Sequence, residues 1–146
     1  MLAQNIPLPG LSVIKTISIR LKPKEDLKAS LDNFIAKHHI KAACIITCAG
    51  SLEKAVIRYA NKSESETLID KFEIVSLTGT IAESGSHIHI SISDGTGKTI
   101  GGHLKEGSLI YTTAEIVLGI MPNVEYNREL DITYGYNELT IRKSNN

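Results

Sequence analysis

The chain has no tryptophan, two phenylalanines and two cysteines among its 146 residues, and no surplus of charge of either sign. Each shortage narrows what it can be. Lys and Arg number 16 and Asp and Glu 16, so the basic excess expected of a sequence-independent phosphate-backbone binder is missing. No Arg-Gly-Arg-Pro hook is present either. Cys44 and Cys48 stand four apart in AACIITCAG, which reads as a buried strand. Extended chain would hold them about 13 Å apart, beyond the ~7 Å Cα limit for a disulfide. They are expected to be reduced core residues and not a metal pair. No apolar run approaches the roughly 18 residues that span a bilayer. MLAQNIPLPGLSVIK lacks the basic start and apolar core of a signal peptide. The expectation is a soluble, cytoplasmic protein with no membrane partner.

What is present fits one domain, residues 1–146, with an ordered core over about 11–142, since 42% of the residues are hydrophobic. Ser12 to Leu21 alternates and reads as a strand. A helix follows, with Pro23 near its first turn, Glu25 and Asp26 at its positive end, and Leu27, Leu31, Phe34 and Ile35 on one face. His38 and His39 suit its carbonyl end. Ile40 to Thr47 and Leu52 to Tyr59 read as two strands broken at Ala49-Gly50-Ser51, and Asn61 to Thr67 as a loop. Phe72 to Leu77 alternates so that Glu73 falls on an apolar face, where Arg20 or Arg58 would have to pair with it. Ser108 to Thr113 and Ala114 to Met121 are strand-like, and Leu139-Thr140-Ile141 suits a last sheet strand. Arg20, Lys22, Lys24 and Lys28 form a basic cluster that reads as a solvated face.

Three of the five histidines lie between Gly85 and Thr113. On a strand, the imidazoles of His87 and His89 project from one face about 6–7 Å apart. His103 follows a turn at Asp94-Gly95-Thr96-Gly97 that folds the chain back beside them. With a four-residue loop, His103 falls opposite Ile88, on the wrong face. An odd-length loop, or a bulge at Gly101-Gly102, would bring it opposite His87 or His89. Three neutral imidazoles on adjacent strands then form a nitrogen face suited to zinc or another divalent transition metal, with a position open to water or a small-molecule ligand. The alternative is three solvated strand residues and a hairpin whose glycines serve only the chain reversal.

The same stretch resembles a known family. Phe72 to Thr80 (FEIVSLTGT), His87-x-His89, Asp94-x-x-Gly97, Gly101-Gly102-His103 and Thr113-Ala114-Glu115 are similar, in order, to the motifs of the PPC domain, the plant and prokaryote conserved domain. Arg20, the helix after it and Ala49-Gly50-Ser51 extend the likeness over most of the chain. The resemblance implies an α/β (α+β) domain with a largely antiparallel β-sheet flanked by helices, assembled as a homotrimer. It also implies metal binding by His87, His89 and His103, as in prokaryotic members that keep this pattern. In plants the domain accompanies AT-hook DNA-binding motifs, so a DNA-associated regulator is the alternative function, although DNA binding is not expected without a partner.

Glu115 sits in TTAEIVL, where an acid among apolar residues must be paired or hydrogen-bonded. It is the candidate catalytic residue, either steadying a metal-bound histidine or acting as base on a metal-bound water. An ion pair at a subunit contact accounts for it equally well. No nucleophile motif, phosphate loop or dinucleotide fingerprint identifies a substrate, so catalysis is left open.

Overall fold

The computed structural model describes residues 12–144. The amino-terminal segment 1–11, including the part read against a signal peptide, lies outside the described residues. In chain order come β1 (Lys15–Leu21), α1 (Leu27–Lys37), β2 (Ala43–Arg58), β3 (Glu66–Ala82), β4 (Gly85–Ser93), β5 (Thr99–Leu104), β6 (Leu109–Ile120), β7 (Val124–Asp131) and β8 (Tyr136–Lys143). Six strands form one antiparallel sheet in the order β1-β6-β2-β3-β4-β5, and β7 pairs with β8 in a separate hairpin. Among the described residues the domain is thus mostly antiparallel sheet with a single helix, where flanking helices were expected.

The sheet does not stay open. Ile57 near the end of β2 pairs with Glu66 of β3 and with Leu104 of β5. Since β3 also pairs with β4 and β4 with β5, these four strands close into a ring. Ring closure covers part of the free edge of β5 and curls the inner faces around a common core. Ile57, Ile81, Ile88, Ile92, Leu104 and Ile110 are all but inaccessible there.

Helix α1 contributes Leu27, Leu31 and Ile35 to that core. It starts later than the sequence suggested. Pro23 lies in a turn ahead of it, and Asp26 is the N-cap, its Oδ1 accepting from the Ala29 N–H at 2.9 Å. A cap of this kind contributes about 1 kcal/mol. The other end is as expected, with His38 as C-cap and the His39 Nδ1 at 2.8 Å from Glu83 Oε1.

Three strand readings need correction. β2 runs unbroken through Gly50, because a Cβ there would lie 2.3 Å from the Thr113 carbonyl oxygen of β6. The glycine allows close strand approach and does not end the strand. β6 is likewise one strand where two were expected. In β3 the register slips between Ile74 and Ser76, so Phe72, Ile74 and Leu77 share the core side. Glu73 is consequently exposed and needs no buried partner; neither Arg20 nor Arg58 pairs with it.

Candidate metal centre

The turn between β4 and β5 decides where His103 goes. Ser93 pairs with Thr99, leaving five residues, 94–98, in the loop. That odd count sets the register, and it runs without interruption to His89 opposite His103. Asp94 holds the loop: its Oδ1 accepts from the Thr96 N–H at 2.8 Å, the Thr96 hydroxyl at 2.6 Å and the Lys98 N–H at 3.1 Å. These donors keep its carboxyl below the usual aspartate range. No bulge is needed at Gly101-Gly102. Gly102 is required for another reason, since a Cβ there would meet the Arg58 carbonyl oxygen at 2.8 Å and Ile57 Cγ2 at 2.9 Å. Without a side chain, β5 can seat against β2 and carry His103 with it.

His87, His89 and His103 therefore meet. One ring nitrogen from each lies within 4.8 Å of the other two, and the Nε2 atoms of His87 and His89 are 3.1 Å apart. Ring centroids are separated by 4.8, 5.0 and 5.7 Å. Tetrahedral coordination of zinc places ligand nitrogens roughly 3.3 Å apart. One pair already has nearly that spacing, and no pair of the three is wider than 4.8 Å.

The protonation chemistry suits a cation. The His103 Nδ1 is buried with no hydrogen-bond partner among the described residues. Burial, then the neighbouring His87 and Arg58, push His103 down to about 4. Burial and His89 lower His87 as well. Neutral imidazole is the form that ligates a metal, and it is the form His87 and His103 favour near neutral pH. The donor set is all nitrogen, matching zinc and other first-row divalent ions better than calcium or magnesium.

Beside the histidines opens a hollow of about 1030 Å³ whose wall includes His87, His103, Arg58, Lys62, Lys105 and Arg128. Arg58 is directly opposite His103 across the β2–β5 ladder. Arg128 reaches in from β7, its Nη2 donating to the Thr80 hydroxyl at 2.8 Å, and Thr80 is the cross-strand neighbour of His87. Sequence reasoning missed these cations at the site. The alternation of Val124, Tyr126 and Arg128 was the available signal for a strand presenting Arg128 inward.

Glu115 is placed elsewhere. It is exposed and opposite Arg20 on β1 and Ala49 on β2, lining a separate groove of about 480 Å³ that contains none of the three histidines. Cys44 and Cys48 are free thiols on β2, and burial pushes the Cys48 thiol up to about 11, which keeps it protonated and unreactive.

Fold and site together define a small antiparallel β domain, partly closed into a ring, with a three-histidine face. The chain belongs to the Plants and Prokaryotes Conserved (PCC) domain family, whose pattern matches residues 10–122. It is 39% identical over 137 residues to the bifunctional protein GlmU of Synechococcus sp. (strain JA-3-3Ab), covering 94% of this chain and 22% of that protein. The chain thus spans about a fifth of that relative's length. Among solved structures, a hypothetical protein from Salmonella cholerae-suis superposes with a TM-score of 0.89 at 34% identity, covering 92% of this chain and 97% of the other. A metal-containing protein from Archaeoglobus fulgidus superposes at 0.76 with 24% identity over 90% of this chain and 99% of its own. A Bacteroides thetaiotaomicron protein described as a candidate DNA-binding protein superposes at 0.75 with 18% identity, over 90% and 98%. At identities this low, the last two show a shared fold alone.

Proposed function

We propose that this is a cytoplasmic metal-binding protein in which His87, His89 and His103 hold one divalent transition metal ion, zinc foremost, and that it acts as a homotrimer. The observation that carries the reading is the convergence of three ring nitrogens within 4.8 Å, from neighbouring strands whose register is fixed by the Asp94 loop. The metal content of the Archaeoglobus fold relative agrees with it. Within the centre, the His87–His89 pair supplies two exposed donors from one strand, and His103 supplies the more buried third. A bound zinc ion would contribute Lewis acidity and a water of lowered pKa. The hollow beside it gives a ligand access to the open position.

Trimer formation is supported by apolar side chains left in solvent on the large sheet. Ile17, Ile46, Val75 and Tyr111 are 36%, 49%, 57% and 41% exposed, and among the described residues β1 is a sheet edge with one partner, β6. Association covers both features. Glu115 lies away from the histidines of its own chain, so any action at a metal would have to be on a neighbouring protomer. Its cross-strand neighbour is Arg20 of the same chain, which donates to Thr113 and forms no ion pair with Glu115, so a subunit contact is where an ionic partner for Glu115 would lie.

Elemental analysis of untagged protein, with zinc titration of the metal-free form, tests the metal reading. About one equivalent per chain is expected, and His87→Ala should release it. Failure of the metal-free protein to take up zinc at micromolar concentrations would refute it.

A further inference from the structure

We infer that the hollow beside the histidines is the binding site of a small hydroxyl-bearing organic phosphate, whose phosphate group is held by Arg58, Lys105 and Arg128. This rests on the metal reading only in that the ligand would reach the metal's open position. Its own foundation is the charge of the wall.

The chain as a whole is neutral, yet this wall is not. Arg58, Lys62, Lys105 and Arg128 face a single carboxylate, Glu138. Elsewhere some lysines are paired with acids, as Lys24 with Glu53, Lys28 with Asp32 and Lys41 with Glu125, and others such as Lys22 and Lys98 are not among the described residues, so the wall stands out by gathering its cations in one place. None of the four cations here has such a partner among the described residues. Their hydrogen bonds are to neutral groups. Arg58 Nη1 donates to the Lys62 carbonyl oxygen at 3.2 Å and Arg128 Nη2 to the Thr80 hydroxyl at 2.8 Å. Such contacts orient a guanidinium and leave its charge free.

The strands arrange these charges around the imidazoles. Arg58 and His89 flank His103 on its two sides. Lys105 follows directly after β5, anchored through its N–H to the Val56 carbonyl at 2.9 Å. Arg128 stands over Thr80 beside His87. Cations therefore border the histidine cluster on both its β2 and β3 sides.

Ligand chemistry follows from these features. A monocarboxylate would leave most of the positive charge unmatched, whereas a phosphomonoester carries roughly −1.5 to −2 near neutral pH and three acceptor oxygens. Guanidinium groups bind such oxygens in pairs. Inorganic phosphate alone would fill little of about 1030 Å³, a volume that suits a small organic molecule. The remaining wall contains Asn61, Ser63, Ser86 and Asn137. These neutral groups both donate and accept, so they match hydroxyls on the rest of the ligand.

The test is calorimetric titration of the full chain, zinc-loaded and metal-free, in phosphate-free buffer, with zinc content measured on the same samples. The probes are glycerol 3-phosphate, inorganic phosphate and glycerol. Saturable binding of glycerol 3-phosphate below about 1 mM, tighter than inorganic phosphate and absent for glycerol, is expected. Arg58→Gln combined with Arg128→Gln should weaken it at least tenfold, and the corresponding double Lys variant should recover part of the loss. Equal affinity for inorganic phosphate, or undiminished binding in the Gln variant, overturns the inference. Bound zinc with no phosphate binding also overturns it and leaves the metal reading intact. Arginine-dependent binding without zinc uptake supports it and refutes the metal reading.

Discussion

Arg58 lies directly opposite His103 across the β2–β5 ladder, and His89 lies opposite the same His103 across β4–β5. A fixed cation and a second imidazole thus sit on either side of one half-buried ring. Burial first, and then repulsion from His87 and Arg58, disfavour a proton on it. The ring is held neutral, the form in which an imidazole can ligate a metal.

That arrangement has a pH signature in the metal-free protein. An ordinary histidine titrates near 6.5, whereas His103 in the fold is pushed down to about 4, first by burial and then by His87 and Arg58. Between those values the unfolded chain takes up a proton that the folded chain refuses. Stability is therefore fully present above about 6.5 and declines as pH falls toward 4. Because the site is partly open to solvent, the loss should be on the order of 1 kcal/mol. Denaturant melts at several pH values would measure it, and His103→Ala should flatten the slope. A midpoint that rises on acidification through this window would contradict the assignment.

A second prediction concerns the strand that carries His103. Gly102→Ala places a methyl 2.8 Å from the Arg58 carbonyl oxygen and 2.9 Å from Ile57 Cγ2, so β5 must move away from β2. Overpacking of this kind costs about 1–3 kcal/mol, and zinc affinity should fall because His103 moves with its strand. Gly95→Ala is the control, since nothing lies within 4 Å of its Cβ position. If both variants bind zinc and melt alike, the close approach at Gly102 is unimportant.

The histidine centre was legible in the sequence because it depends on two local rules. Alternation puts His87 and His89 on one side, and loop parity decides the side of His103. Even so, the sequence left the parity open, and the structure resolved it through the three hydrogen bonds to Asp94. Glycines were read less well. Gly50 and Gly102 look like a strand break and a bulge when only chain conformation is considered, yet both serve contacts with strands distant in sequence. The bulge at Val75 moved Leu77 off the face that Glu73 occupies, since one extra residue exchanges the faces beyond it. Least accessible was the basic wall. Arg58, Lys105 and Arg128 come together only through ring closure by β2 and β5 and the crossing of β7 over Thr80, which no local pattern encodes.

Assembly gives the third prediction. Light scattering at micromolar concentration should give three times the mass of one chain. Ile46→Lys, on an exposed apolar position of β2, should lower that mass if the large sheet supplies the contact, because burying an unpaired ammonium costs several kcal/mol. A monomer mass for the unaltered protein would remove the trimer.

The last prediction is that the protein alone does not bind duplex DNA appreciably at physiological salt. Affinity for the phosphate backbone requires several unpaired cations presented along one accessible face, and it falls steeply as salt displaces them. The basic cluster after β1 is partly neutralised, since Lys24 is paired with Glu53 and Lys28 with Asp32. The other cationic group, around the histidines, lines a hollow that suits a small ligand better than a rod-shaped polyanion. Net charge is +0, so long-range attraction is also missing. A trimer could still gather Arg20 and Lys22 from three chains into a ring, and for that reason the assembled protein is the sample to use. Labelled duplex titrated with it near 150 mM salt should show no saturable binding tighter than about 1 μM, the edge of the ordinary non-specific range. Tighter binding that weakens in Arg20→Ala/Lys22→Ala would establish a DNA-associated role and displace the small-ligand reading of this domain.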